Sequence, residues 1–434
     1  MGNRTVRIVI GWVVVVGLLY FLFFRNKPLG PMGEVVSPSE DSLTAQIVAS
    51  AISMVDNSHR AMVAKPVPGN PPGKSNESSA ELSAQQPYRR DVHAKTYGCL
   101  KATFRVLDSV DPGFRQGLFA RPGEYHAWVR YSSGNTRVQD DHDKDARGMA
   151  IKVMGVPGRK LMEDDGVPHA DTQDFALMNA TQFFILNLPE YLSFTRYLGE
   201  GSNYGYFFGG FTPDLPQHNW ENLLNFKDYH PREMMLALKT LKPPPDSLLN
   251  TQFYSASTYR LGAENYVKYS ARPCQTAHAA SVDHSDPNFL RQEMIERLKN
   301  GGACFEFLIQ PQVPGKNMPV EDTTVEWSEK DSPFIPVARI EIPKQSFVEN
   351  QQTCEDLSFN PWHSLPEHKP VGVMNRIRKP LYQEVARYRR SMNGEKALCE
   401  PKDWNVDDPA SCEQPQNSLE LGKPVSSAKP PASR

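Results

Sequence analysis

Between Tyr97 and Leu186, short runs of alternating apolar and polar residues follow one another, separated by glycine-containing segments. The clearest runs are KATFRVL, YHAWVRYSS, GMAIKVM and DFALMNATQFFIL. Alternation with a period of two is typical of β-strands that bury one face, and closely spaced runs of this kind pair as antiparallel strands. Two later segments, FEFLIQPQV and FIPVARIEI, have the same character. The pattern predicts an antiparallel sheet at the centre of the fold.

Helical stretches are predicted around this sheet, at Trp220–Leu241, at Phe289–Leu298 and over residues 380–392. With 434 residues, of which 39% are hydrophobic, the chain is long enough to bury one large core or two modest ones. We therefore predict one α+β body over residues 86–395. The net charge of -2 provides no general attraction for nucleic acid, so a nucleic-acid role is disfavoured.

Residues 8–24 form a continuous uncharged run, IVIGWVVVVGLLYFLFF, bounded by Arg7 and Arg25. Its length is close to the roughly 20 residues that span a bilayer. A buried core helix and a cleaved signal peptide are the alternatives, but no small-residue cleavage pattern follows the run. We predict a single-pass transmembrane anchor in residues 1–27. Basic residues nearly balance on its two sides, and we expect an extracytoplasmic body.

Two further segments are predicted to lie outside the body. Residues 28–85 are rich in proline and polar residues and read as a disordered linker, with helix-like apolar spacing from Ser42 to Ala64 that would suit an amphipathic segment against membrane or body. Residues 396–434 read as a polar, disordered tail. The six cysteines have no metal-ligand spacing, so free buried thiols are the default expectation. A Cys399–Cys412 disulfide is the alternative in an oxidising compartment.

Two short motifs stand far apart in the chain: Arg90-Asp-Val-His93 and Arg378-Lys-Pro-Leu-Tyr382. Neither is specific alone, because each pattern arises often by chance. Several other blocks keep a fixed order with them, namely RRDVHAK, WVRYSS, DARGMAIKV, NATQFF, EWSEKDSPFIPVARIEI, SFNPWHSLPEHKP and RIRKPLY. This text resembles the haem catalase superfamily, and its shorter catalase-related members more than full-length catalases. The resemblance implies an antiparallel β-barrel wrapped by helices, with haem buried against it.

On the proximal side of the haem, the resemblance implies that Tyr382 is the iron ligand. A phenolate suits ferric iron, and a nearby cation, here Arg378, stabilises it. The two residues are four apart and would share one face of a helix, although Pro380 between them demands a kink or a helix start.

On the distal side, where peroxide would bind, the resemblance implies that His93 is the acid/base and that Ser132 orients its imidazole. Arg90, Arg130 and Arg389 match the arginines that hold the haem propionates in relatives. Arg130 and Ser132 are two residues apart in an alternating strand and so face the same side. Arg389 is seven residues, about two helical turns, beyond Tyr382.

Two positions depart from the family pattern. Counting back from the Phe183–Phe184 pair places Met178 where catalases have a distal asparagine, and Asn179 comes one residue late. In a strand, one residue reverses the direction of a side chain. Either a bulge returns Asn179 to the site, or the distal amide is missing and peroxide is held less well. Tyr191 stands where relatives stack an aromatic ring on the haem.

These features predict a membrane-anchored, haem-dependent enzyme of catalase or peroxidase type that acts on hydrogen peroxide or small organic hydroperoxides. Val92, directly before His93, resembles true catalases rather than members that rearrange fatty-acid hydroperoxides. A lipid hydroperoxide isomerase or dehydratase is one alternative, and a non-enzymatic haem carrier or sensor is another. The predicted partners are a small peroxide and the lipid bilayer, with homo-oligomers common in the family.

Overall fold

Eight antiparallel strands close into a barrel at the centre of the chain. The computed structural model describes residues 32–64, 87–162, 171–216, 219–224, 226–394 and 400–404. The barrel strands are β1 (Thr96–Val106), β2 (Gly123–Ser133), β3 (Arg147–Met154), β4 (Thr172–Met178), β5 (Phe253–Tyr254), β7 (Asn265–Pro273), β8 (Ala303–Pro311) and β9 (Ile335–Ile342). Strand β1 pairs with both β2 and β9, and β7 pairs with both β5 and β8, which closes the ring. The predicted antiparallel barrel is confirmed.

Strands β6 (Thr258–Leu261) and β10 (Pro370–Val371) extend the sheet beside β7. The sequence patterns missed the strands between residues 253 and 273. They also carried the fourth strand too far, because β4 ends at Met178 rather than near Leu186. Trp220–Leu224 and Phe226–Asp228 are short 3-10 helices, and Pro231–Thr240 is the part of the predicted stretch that the structure describes as α-helical.

Aromatic side chains fill the inside of the barrel. The ring centroids of Phe175 and Phe307 are 4.7 Å apart, those of Phe175 and Tyr269 are 5.1 Å apart, and those of Phe104 and Phe307 are 5.3 Å apart. An eight-stranded barrel has an interior just wide enough for side chains to fill. Any sizeable cofactor must therefore lie against the outer wall of the barrel.

In the described part of the chain, six helices surround the barrel: α1 (Glu40–Ala64), α2 (Leu188–Glu200), α3 (Pro231–Thr240), α4 (Phe289–Asn300), α5 (Gln351–Asp356) and α6 (Val373–Asn393). Helices α1, α2 and α6 share a second apolar core, separate from the barrel interior. Its buried members are Ile47, Ala51, Val55, Leu188, Leu192, Ile377, Leu381 and Val385. This core fixes α6 against the body.

The segment before the barrel belongs to the body from residue 32 onward. Arg376 on α6 pairs with Glu40 at 2.6 Å and with Glu34 at 3.1 Å, and helix α1 packs on α2 and α6. The prediction of a disordered linker is therefore wrong for residues 32–64, and the apolar spacing between Ser42 and Ala64 reflects packing against the body. The remainder of the predicted linker lies mostly outside the described residues.

The predicted transmembrane anchor, residues 1–27 with the apolar run 8–24, lies outside the described residues. None of the helices that the structure describes is both long and apolar enough to cross a membrane. In the predicted C-terminal tail, residues 400–404 pack on the barrel, where the Trp404 ring stacks on His126 at 3.8 Å. The other residues of that tail are not described.

A disulfide joins Cys274, just after β7, to Cys304 in β8. The expectation of free thiols is wrong for these two residues, because the antiparallel pairing of β7 with β8 brings their Cα atoms to 5.4 Å. Cys399 and Cys412, the alternative pair, lie outside the described residues.

Candidate cofactor site

A cavity lies against the outer wall of the barrel. Four parts of the chain line it: the segment before β1, the strands β2, β3 and β4, the segment directly after α5, and helix α6. The lining residues are Arg90, Asp91, Val92, His93, Arg130, Ser132, Gly148, Met149, Ala150, Ala176, Leu177, Leu357, Ser358, Phe359, Tyr382, Val385, Ala386 and Arg389. His93 and Tyr382, predicted from opposite ends of the chain, thus border one space.

His93 is held in one tautomer by its neighbours. Its Nδ1 bonds the backbone carbonyl of Ser133, and the Ser132 hydroxyl lies 3.1 Å from the same nitrogen. A carbonyl oxygen can only accept a hydrogen bond, so Nδ1 carries the proton. Nε2 is left with a lone pair and can act as a base.

The His93 side chain is neutral at ordinary pH. Burial, together with the nearby charge of Arg130, lowers its pKa to about 3, and the hydrogen bond to Ser133 offsets only part of this lowering. The backbone of His93 is also unusual, with φ of 62° in the left-handed region. Strained backbone of this kind is common where a functional side chain must be aimed.

Gly148 in β3 makes room for the imidazole. A Cβ atom at this position would lie 2.7 Å from Cε1 and 2.8 Å from Nδ1 of His93. It would also lie 3.0 Å from the Ser132 hydroxyl. The close approach of strand and ring therefore requires a residue without a side chain.

Tyr382 lies on α6, which runs unbroken from Val373 to Asn393 with Pro380 inside it. The proline therefore marks no helix start. Arg378, one turn before Tyr382, is half-buried and donates to Ser257 Oγ and to Asn375 Oδ1, both at 3.0 Å. Burial lowers the pKa of Arg378, but the Tyr382 phenol and other tyrosines outweigh it, so the net shift is upward. Arg378 thus stays charged beside Tyr382, as a phenolate ligand requires.

Three arginines form one cationic edge of the cavity. Arg90 pairs with the Glu355 carboxylate at 2.7 Å, and Arg389 donates to the Glu355 backbone carbonyl at 2.7 Å. Arg130 is 6% exposed, and its Nε and Nη1 find no hydrogen-bond partner among the described residues. Burial and the charge of Arg90 lower the pKa of Arg130 well below its usual range. Unpaired buried cations of this kind are costly, and an anionic ligand would satisfy them.

Glu355, which contacts both Arg90 and Arg389 at this edge, was not predicted from the sequence. Burial alone would raise the pKa of its carboxyl, but Arg90 and Arg89 outweigh burial and lower it to about 2. Its position in the short helix α5 carries no motif. Folding brings Glu355 next to Arg90 and Arg389, which are distant from it in the sequence.

Asn179 is not brought to the cavity. Its amide oxygen accepts a hydrogen bond from the Arg147 backbone at 2.8 Å, and the register of β4 is regular to its end, with Met178 opposite Gly148. Ser132 is also opposite Gly148, so Ser132, Gly148 and Met178 form one cross-strand row on one face. No bulge returns Asn179 to the cavity, and Met178, one residue earlier, is the residue that shares the strand face of Ser132.

Tyr191 is also absent from the cavity lining. It lies on α2, where it packs between two apolar clusters, with its ring centroid 6.5 Å from that of Phe183. Burial raises its pKa, helped by the nearby Asp91 and Tyr382. Phe359 does line the cavity, and the centroid of its ring lies 5.0 Å from the Arg130 guanidinium carbon.

The residues present fit haem. The phenol of Tyr382, with the charged Arg378 beside it, can ligate ferric iron. The apolar residues of the lining suit a flat macrocycle. The nitrogens of Arg130 that have no hydrogen-bond partner among the described residues can bind the carboxylates of such a group. Asp174, His363 and Glu400 bring three ligand atoms within 4.8 Å elsewhere on the barrel. The Lys152 ammonium already lies among them, 2.8 Å from Asp174, so that cluster is an internal ion pair network.

Comparison with known proteins gives relatives of one kind, although no family model matches the chain. Catalase A of Pseudomonas putida is 24% identical over 349 residues, covering 73% of this chain and 65% of that protein. A catalase of the Onchocerca volvulus endobacterium is 24% identical over 349 residues, covering 73% and 64%. The catalase of Schizosaccharomyces pombe is 23% identical over 333 residues, covering 70% and 59%. The chain thus spans less than two thirds of the length of these curated relatives.

Solved structures agree on the fold. Catalase A from Saccharomyces cerevisiae superposes with a TM-score of 0.55 at 15% identity, covering 85% of this chain and 80% of that one. A fungal catalase gives a TM-score of 0.54 at 15% identity, covering 83% and 79%. At this identity the likeness concerns the architecture, and the roles of the lining residues depend on the geometry described above.

Proposed function

Since this chain belongs to the haem catalase superfamily, we propose that it binds haem in the cavity bordered by His93 and Tyr382 and breaks down hydrogen peroxide or small organic hydroperoxides. The observation that carries the proposal is that three side chains border one cavity: the neutral imidazole of His93, the phenol of Tyr382 and the buried guanidinium of Arg130. Arg378 lies beside Tyr382 and stays charged, and two nitrogens of Arg130 have no hydrogen-bond partner among the described residues. Haem, when bound, supplies an iron that peroxide oxidises and that a second peroxide or an organic donor reduces again.

Tyr382 is the iron ligand in this proposal, and the positive charge of Arg378 would stabilise a phenolate bound to iron. Arg90, Arg130 and Arg389 hold the propionates. Arginine suits this role because its planar guanidinium binds carboxylate through two parallel hydrogen bonds. Glu355 takes up part of the positive charge, so the edge is not left with three uncompensated cations.

His93 moves the proton. Its Nε2 accepts a proton from the near oxygen of the peroxide and returns that proton to the far oxygen as the O–O bond breaks. The carbonyl of Ser133 and the hydroxyl of Ser132 hold Nδ1 throughout, so the ring keeps the orientation that this transfer needs. A depressed pKa helps, because an imidazole that is already protonated cannot accept the proton.

The absence of a distal amide at the cavity favours peroxidase turnover over fast disproportionation. Met178 on the Ser132 face cannot hydrogen-bond a second peroxide as an amide does. Peroxide is then held less well, and an organic donor competes better for the oxidised cofactor.

A lipid hydroperoxide isomerase or dehydratase is the second candidate, favoured by the apolar run at residues 8–24, which would bring the body to a membrane. Val92 beside His93 favours small peroxides instead. A pure haem carrier or sensor needs Tyr382 and the arginines but has no use for the held tautomer of His93.

We further propose that residues 8–24 anchor the protein in a membrane and that the body lies on its extracytoplasmic side. The Cys274–Cys304 disulfide supports this side, because disulfides persist in oxidising compartments and are rare in the cytosol. A homo-oligomer is compatible with the family but has no separate support.

The test measures oxygen evolution and donor oxidation by the purified, haem-loaded protein, with hydrogen peroxide and a fatty-acid hydroperoxide as rival substrates. We expect faster turnover of hydrogen peroxide and its near loss in His93→Ala with haem still bound. Unchanged peroxide turnover in His93→Ala would show the assigned role to be wrong. Faster conversion of the lipid hydroperoxide would favour the second candidate.

A further inference from the structure

A tyrosine bonded to a carboxylate lies directly behind the cationic edge of the cavity. Tyr388 on α6 immediately precedes Arg389, and its hydroxyl donates to Asp56 Oδ1 on α1 at 2.5 Å. It is six residues beyond Tyr382, a rise of about 9 Å along the helix. Tyr388 is therefore close to the proposed cofactor without entering the cavity.

A second tyrosine, Tyr88, contacts Tyr388 and is partly exposed to solvent. The ring of Tyr88 meets that of Tyr388 edge to face, with centroids 6.3 Å apart and an interplanar angle of 86°. Tyr88 is half-buried and comes two residues before Arg90, another cavity residue. Asn393 pins its backbone with two hydrogen bonds of 2.7 and 3.1 Å, and the buried His59 ring stacks on it at 3.8 Å. Both rings are thus fixed in place.

The Asp56 carboxylate provides a proton acceptor for the Tyr388 hydroxyl. Burial and the hydrogen bond to Asp56 raise the pKa of Tyr388 to about 12, so its phenol is protonated at neutral pH. Loss of an electron makes a phenol hydroxyl strongly acidic. A base already within hydrogen-bond reach takes the proton without any rearrangement. The pair is therefore suited to give up an electron and a proton together.

We propose that Tyr388 and Tyr88 form a second oxidation site, at which phenolic donors too large for the cavity reduce the peroxide-oxidised protein. Tyr388 transfers one electron to the haem and its hydroxyl proton to Asp56, which leaves a neutral tyrosyl radical. That radical takes one electron from Tyr88 and takes its proton back from Asp56, while the hydroxyl proton of Tyr88 passes to solvent. The phenolic donor then gives Tyr88 one electron and one proton. Each donor is left as a phenoxyl radical, and two such turns return the cofactor to its resting state. The proposal rests on the haem peroxide function above.

The test is electron paramagnetic resonance of the full-length, haem-loaded chain, frozen soon after one equivalent of hydrogen peroxide. We expect a tyrosyl signal that Tyr388→Phe abolishes and that Asp56→Asn strongly reduces. Tyr229→Phe is the matched control, because that hydroxyl bonds the Leu223 carbonyl at 2.7 Å instead of a carboxylate. Steady-state oxidation of a bulky phenol should fall by roughly a hundredfold in Asp56→Asn, the low end for one positioned proton acceptor.

The outcomes separate this proposal from the one it rests on. An optical change on adding peroxide, together with a tyrosyl signal that is the same in Tyr388→Phe as in the unsubstituted protein, would overturn the second oxidation site alone. No optical change in the unsubstituted protein would overturn both. Disproportionation of hydrogen peroxide should be the same in Tyr388→Phe and Tyr229→Phe, since the cavity is untouched.

Discussion

Gly148 lies so close to His93 that a Cβ atom at position 148 would come within 2.7 Å of the imidazole Cε1. The contact links the third barrel strand to the residue proposed to move the proton. Ser132 and Ser133 hold Nδ1 of the same ring, so a group added at position 148 would push the imidazole away from these two partners.

Gly148→Ala should therefore displace the imidazole while leaving the propionate arginines intact. We expect peroxide turnover to fall by roughly 10²-fold or more, the usual contribution of one positioned acid/base, with haem stoichiometry unchanged. Gly301→Ala is the control, because a Cβ there meets nothing within 4 Å. Full activity in Gly148→Ala would mean that the ring position is not critical.

Met178→Asn should supply the missing distal amide. Met178 shares a cross-strand row with Gly148 and Ser132, so the new amide faces the His93 side of the barrel wall. We expect oxygen evolution to rise about tenfold, the equivalent of ~1.4 kcal/mol from one added hydrogen bond in the transition state. Asn179→Ala, whose amide bonds Arg147 instead, should leave turnover per folded molecule unchanged. The reverse pattern would place Asn179 at the site.

Glu355→Gln should destabilise the fold in a pH-dependent way. The carboxyl pKa is about 2 in the folded protein against 4.5 for a free group, so its contribution is complete above pH 4.5 and is lost as pH falls towards 2. The difference of roughly 2.5 units corresponds to about 3 kcal/mol. Urea unfolding should show that loss at pH 7 and a shrinking difference below pH 4.5.

The control for this pair is Glu306→Gln, since Glu306 and Arg272 are 31% and 43% exposed. An exposed ion pair contributes about 1 kcal/mol or less. Equal effects of the two substitutions, or a Glu355→Gln effect that does not depend on pH, would contradict the role given to Glu355.

The pH profile of peroxide turnover should lack a histidine step near neutrality. Burial and Arg130 lower the pKa of His93 to about 3, so the base stays unprotonated as pH falls from 8 to 5. Burial raises the pKa of the neighbouring Asp91 to about 6, so kcat/KM is best measured in Asp91→Asn to remove that titration. A fall in kcat/KM with an apparent pKa near 6.5 in that variant would show that His93 is solvated and not held as described.

The sequence was most informative where a residue acts through local spacing. Alternation in β2 correctly predicted that Arg130 and Ser132 share a face, because side-chain direction in a strand depends only on parity. It could not decide between Met178 and Asn179, since that choice depends on whether β4 is bulged, which its pairing with β3 determines.

Contacts between segments that are far apart in the chain could not be predicted from the sequence, for a different reason. The Arg376 pairs with Glu34 and Glu40 span more than three hundred residues, and no periodicity encodes them. The strands from Phe253 to Leu261 are two and four residues long, too short for an alternating pattern to be recognised. The resemblance located most of the cavity, but it did not reveal Glu355 or the Tyr388–Asp56 pair.

The most direct test of the account is a haem titration of the purified protein followed by its absorption and resonance Raman spectra. We predict one haem per chain with the bands of iron ligated by a phenolate, and we predict that Tyr382→Phe loses those bands while the barrel remains folded. If the chain takes up no haem, or if phenolate ligation persists in Tyr382→Phe, the central claim is contradicted.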